Sequence, residues 1–145
     1  MDYTTFIGEV QNRAELPARE DALSVTRITL ETLSERLGSD EADNLAAQLP
    51  KEIARDLEEV TEVERFSWDE FVDRLGEKGD YDMRDERATA IHHARVVMAV
   101  VSEAASEGEM ADVRDQLPDE YDDLFVGADR ETQPVNEEQQ SENTS

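Results

Sequence analysis

An all-α bundle of about eight helices, formed by two pseudo-symmetric four-helix repeats, is predicted by three observations in this 145-residue sequence. Apolar residues recur at spacings of 3, 4 and 7, and no segment alternates in the manner of a strand. The segment AAQLPKEIARDL at 46–57 returns as VRDQLPDEYDDLF at 113–125, in a register offset by 68 residues. Pro50 and Pro118 then fall at the same place in each copy.

The elements follow in order. A first helix is expected over about 2–13, with Tyr3, Phe6, Ile7 and Val10 on one face. Its counterpart over about 68–78 carries Trp68, Phe71, Val72 and Leu75, at an offset of 65, and opens on Ser67 with Glu70 three residues later, a capping-box pattern. The change of offset places a three-residue insertion in EKGDYDMRDER, where a loop tolerates it. Long second helices are expected over 18–37, with the stripe Leu23, Leu30, Leu33, Leu37, and over 84–105, with Ile91, Met98, Val101, Ala105. The second of these is apolar around much of its circumference, as a central helix would be. Gly38-Ser39 is expected to end the first long helix and cap the next one, and Ser106 with Glu109 is a further capping-box pair. Short third helices over 40–48 and 107–116 end at Leu-Pro. The prolines open fourth helices near 51–59 and 119–125, because Pro suits the first helical position and disfavours helix just before itself.

These copies, 1–60 and 66–126, make one helical domain over 1–126, since a unit of about 60 residues is marginal alone. Residues 127–145 contain one large aliphatic residue, Val135, and are expected to be a disordered acidic and polar tail.

The net charge is -24, with 38 Asp and Glu against 14 Lys and Arg, and only Lys51 and Lys78 are lysines. Carboxylate excess with few lysines suits a solution at molar salt, where the screening length falls to about 3 Å and like charges cease to repel. The same charge argues against nucleic acid and anionic membranes as partners, because affinity for both comes from Lys and Arg neutralising phosphate. No apolar run is long enough for a membrane span, and MDYTTFIGEV lacks the basic start and apolar stretch of a signal peptide, so a cytoplasmic protein is expected. Without Cys, thiol chemistry and thiolate metal sites are excluded.

Little else in the sequence points to catalysis. His92 and His93 are neighbours, about 100° apart on a helix, and the H-E-x-x-H spacing of metalloenzymes is absent. The acidic stretch DYDMRDERATAI has Asp85 where a calcium loop needs Gly and Ile91 where it needs a bidentate Glu. Phosphate loops and nucleophile elbows are missing. The residues left as candidate ligand or interaction positions are Gln48 and Gln116, the His92-His93 pair and Trp68. Core packing is the commoner role for Trp68, and a cap or inter-helix hydrogen bond for the two glutamines. No catalytic residue, metal ligand or cofactor is assigned.

The AAQLP and DVRDQLPDEYDDLF segments, each preceded by an F-x-x-x-V or F-V-x-x-L pattern and a long Leu/Val helix, resemble the domain-of-unknown-function family numbered 2267 over about 1–126. The resemblance implies a helical protein with no established activity, and the acidic bias fits a haloarchaeal member. The expectation is a non-enzymatic protein–protein interaction module adapted to salt, its protein partner unknown and self-association open. The alternatives are a small-ligand binder or enzyme using the groove between the repeats, and an acidic mimic of nucleic acid.

Overall fold

Asp2 starts the first helix: its carboxylate accepts a 2.7 Å hydrogen bond from the Thr5 N–H, satisfying one of the free donors of a helix start. In the computed structural model, which describes residues 1–58 and 63–132, every regular element is helical. Among the described residues there are eight α-helices: α1 Tyr3–Arg13, α2 Arg19–Leu37, α3 Ser39–Ala46, α4 Lys51–Ala54, α5 Trp68–Gly79, α6 Arg87–Ala104, α7 Glu107–Asp115 and α8 Val126–Thr132. Two 3₁₀ segments, Arg55–Leu57 and Asp119–Phe125, follow α4 and α7.

The long helices α2 and α6 pack against each other, and α1 and α5 each lie against both of them. α3 packs on α7, and α8 closes over α6. The core runs through the whole assembly, from Phe6, Ile7 and Val10 of α1 to Phe71, Val72 and Leu75 of α5, with Leu30 and Leu33 of α2 and Val97 to Val101 of α6 between them. Burial of α6 from Val96 to Val101 without a break fits its apolar circumference. α2 is buried over still more of its length although it carries hydroxyls. Thr29 and Thr32 donate to the carbonyls of Val25 and Ile28 one turn back, at 2.7 and 2.8 Å, so their polar atoms enter the core already satisfied.

Charged side chains tie the periphery. Arg13 of α1 forms a two-pronged bond to Glu103 of α6, at 2.7 and 2.8 Å. Arg74 of α5 lies 3.8 Å over the Phe66 ring and bonds Glu35, Glu64 and Glu70, while Lys78 also reaches Glu35 at 2.8 Å. Arginine's planar fork makes such many-sided contacts where an ammonium would act as a point charge.

Three expectations need correction. Gly38, at φ +85°, ends α2 and is also the first cap of α3, so Ser39 is the first residue inside α3 and its hydroxyl caps nothing. The segments after the prolines are not plain α-helices: α4 passes into a 3₁₀ turn after Ala54, and Asp119–Phe125 is 3₁₀ throughout. Arg95 takes the Asp123 carbonyl at 2.7 Å, which an α-helix would keep for its own ladder. Finally, α8 runs through the expected start of the tail. Ala128 is buried and Gly127 lies close enough to the Arg95 carbonyl and Ala99 that a Cβ there would touch both. The rest of the expected tail, 133–145, lies outside the described residues, as does 59–62, which includes the last residue of the helix expected near 51–59.

Candidate functional site

The residues singled out from the sequence fall into three separate places. Trp68 is in the core. It stacks on Phe71, with ring centroids 5.5 Å apart, and meets Tyr121 edge-on at 5.7 Å. Tyr121 also stands edge-on to Phe71, and its hydroxyl donates to the Phe66 carbonyl at 2.7 Å with a longer approach to that of Ser67. Burial pushes the Tyr121 phenol up to about 12, so it remains a donor at ordinary pH. Arg36 completes the group: it donates through Nε to the same Phe66 carbonyl, at 2.9 Å, and lies over the Tyr121 ring. Ser67 caps α5 as its sequence pattern predicts, accepting from the Glu70 N–H at 3.2 Å, but Glu70 turns to Arg74 and leaves the reciprocal half of the box unmade.

The histidines lie on α6 beside the α5–α6 loop. His93 is half-buried and shares a 2.7 Å hydrogen bond with the Tyr81 hydroxyl through Nδ1, whereas His92 is exposed with its ring 5.9 Å away. Burial, reinforced by the neighbouring His92, lowers the pKa of His93 against smaller opposing effects of Asp21 and Glu86. A neutral imidazole bonded to a phenol serves to fix the Tyr81 loop, which folds onto α5 where Gly76 and Gly79 leave room for Met83 and Tyr81.

The glutamines each precede a Leu-Pro turn, Gln48 after α3 and Gln116 after α7. Gln48 Oε1 accepts from the backbone N–H of Ser106, at 2.6 Å, and so joins the α3–α4 turn to the start of α7. This is the inter-helix role predicted for it. Gln48→Ala is expected to cost only about 0.5–1 kcal/mol, because water can replace the lost acceptor at this exposed bond; urea unfolding measures it. Gln116 lines a polar recess of about 360 Å³ with Arg36, Arg65, Asp40, Glu41 and Val63, so that both signs of charge face it. Arg36 is 6 % exposed, and its Nη1 is buried with no hydrogen-bond partner among the described residues. A smaller and more apolar recess, about 290 Å³, opens between α7 and α8 over Met110, Ala111, Phe125 and Ala128.

Sequence reasoning passes over Arg36 and a carboxylate group formed by Glu41, Glu109 and Asp112 where α3 meets α7. One signal was there to be read: in the 68-residue register of the sequence, position 41 falls on 109, and both are Glu. The burial of Glu109 raises its pKa to about 7, and the adjacent Glu41 and Asp112 push the same way.

No helix among the described residues is long and apolar enough to cross a membrane. Among known proteins, no curated sequence matches the chain. One family model does match, over residues 3–124, and its description is "Uncharacterized conserved protein (DUF2267)". With most of its length inside that match, and with the Gln-Leu-Pro turns and both long helices within it, this chain belongs to the DUF2267 family.

Proposed function

We propose that this chain is a non-enzymatic module that binds another protein in a salt-rich cytoplasm of haloarchaeal type. The observation that carries the proposal is how the chemistry-bearing side chains are engaged. Gln48 holds the start of α7, His93 holds the Tyr81 loop, and Trp68 and Tyr121 build the core between α5 and the second 3₁₀ segment. These groups thus serve the fold, and none of them is aimed with its neighbours at a common point where a substrate could react. In molar salt, charge steering is screened within about 3 Å, so recognition would rest on apolar contact, for which the recess between α7 and α8 is suited.

The chain is further proposed to consist of two copies of one four-helix unit. Support comes from reciprocal packing, with α1 on α6 and α5 on α2, and from the meeting of like with like, α2 with α6 and α3 with α7. A nucleic-acid mimic has only the charge in its favour, which salt adaptation already explains.

Affinity capture from cells of the source in molar KCl, followed by mass spectrometry, tests the module. The expected result is a specific partner held by the wild type and lost with Ala111→Arg, an exposed position in the α7–α8 recess, without a change in melting. A second reading, a small-ligand binder, is favoured by the unpartnered Arg36 Nη1 beside the Gln116 recess, whose volume falls in the range of ligand pockets. A small anion that raises the melting temperature, together with no specific protein in the capture, would replace the first reading by the second.

A further inference from the structure

Glu41 and Glu109 are each the third residue of their helices, α3 and α7, and they meet where those helices pack. One carboxylate oxygen from each of Glu41, Glu109 and Asp112 lies within 4.8 Å of the other two. Glu109 is only 8 % exposed, and Oε2 of both Glu41 and Glu109 is buried with no donor to pair with it, the Glu109 carboxyl meeting only that of Glu41 at hydrogen-bonding range. Buried carboxylate oxygens are rarely left so, since an unpaired charge away from water is costly.

The local hydrogen bonding explains why Glu109 has an oxygen to spare. In a complete capping box, Glu109 would reach back to the Ser106 N–H. Here Ser106 Oγ accepts from the Glu109 N–H at 3.1 Å, but the Ser106 N–H is taken by Gln48 at 2.6 Å. Basic side chains do not fill the gap either. Arg114 of α7 turns to Asp122 and Asp129, Arg36 to the Phe66 carbonyl, and none of the ion pairs among the described residues includes a member of the cluster.

We propose that Glu41, Glu109 and Asp112 bind one hard divalent cation, Ca²⁺ in preference to Mg²⁺, which clamps α3 to α7 across the two halves of the chain. Three carboxylates match the oxygen-only preference of such ions, and their spacing accommodates bonds of about 2.3–2.6 Å in the irregular geometry that Ca²⁺ accepts. Mg²⁺ demands a tighter octahedron and gives up its water reluctantly. Asp112 is exposed and Glu41 half-buried, so the ion enters from the solvent side and keeps water there, while Glu109 holds it from within. The position matching Asp112 in the first copy is Asn44, which makes the third carboxylate a feature of α7 alone. This site stands independently of the protein-binding reading.

The test uses the full chain, stripped with chelator and dialysed into molar KCl so that loose association with the acidic surface is suppressed. CaCl₂ is titrated by calorimetry, and melting is followed in parallel. The expected result is one saturable site per chain with a rise in melting temperature. Glu109→Gln should abolish both, Asp112→Asn should weaken binding about tenfold or more, and Asp43→Asn, an exposed acid of α3 outside the cluster, should leave both intact. Circular dichroism of each variant confirms that it folds. Absence of a saturable site, or binding kept by Glu109→Gln, overturns the proposal and leaves a shared proton as the means of neutralising the pair. An equal melting shift with MgCl₂ overturns the preference for Ca²⁺.

Discussion

Tyr121→Ala is expected to lower stability by about 3–5 kcal/mol, the largest effect of any single substitution considered, whereas Tyr121→Phe should cost only about 1 kcal/mol. The difference follows from what each change removes. The ring of Tyr121 is buried edge-on against both Trp68 and Phe71 and beneath Arg36, so its loss opens a cavity at the contact between the 3₁₀ segment and α5. It also leaves the buried Arg36 without the face it covers. Loss of the hydroxyl alone is milder, because the Phe66 carbonyl still accepts from Arg36 Nε. A protein of this size has about 5–15 kcal/mol in all, so the alanine variant would lose a large share of its stability. Urea unfolding of the two variants measures the contrast, and equal losses would mean that the hydroxyl, and not the ring, holds this junction.

Glu109→Gln should act in the opposite direction and stabilise the chain in chelator at pH 8, by on the order of 2 kcal/mol. The pKa of Glu109 is raised from 4.5 to about 7 in the folded protein, chiefly by burial, then by Glu41 and Asp112. A group raised in this way favours folding fully below the unfolded value and loses that contribution as pH climbs through the folded one. The wild type should therefore lose stability relative to the variant between about pH 4.5 and pH 7, and the two should converge below that window. His93 works the other way. Its lowered pKa means that acidification below its usual value near 6.5 forces a charge into a half-buried site and destabilises the fold. Because His93 is present in both proteins, the difference between their urea midpoints at each pH isolates the carboxylate. A variant less stable than the wild type at pH 8 would show that the ionised side chain has a favourable partner.

Much of the fold is legible in the sequence because burial and helical period coincide there. Phe6, Ile7 and Val10 and their counterparts Phe71, Val72 and Leu75 are all fully or almost fully buried, and the α5 start at Ser67 follows its pattern. The ends after the prolines are less legible, since a 3₁₀ turn and an α-turn share composition, and in the second of them Arg95 reaches across from α6 to the Asp123 carbonyl, a tertiary contact that no local pattern announces. α8 escapes notice for a related reason: its contact with α6 uses Ala128 and Gly127, small residues that carry no hydrophobic pattern. Sites follow the same logic. Repetition before Leu-Pro singles out Gln48 and Gln116 alike, yet the bond belongs to Gln48 while Gln116 lines a recess; Glu109 is one of 38 acidic residues, and only tertiary packing separates a buried carboxylate from a solvated one.

The meaning of the remaining acidity is decided by melting the protein in dilute and in molar KCl with chelator present. If the carboxylate field is an adaptation to salt, the melting temperature rises steadily with KCl as self-repulsion is screened. A melting temperature that is equal in the two solutions, or lower in molar KCl, would contradict salt adaptation and return the charge of -24 to the search for a partner.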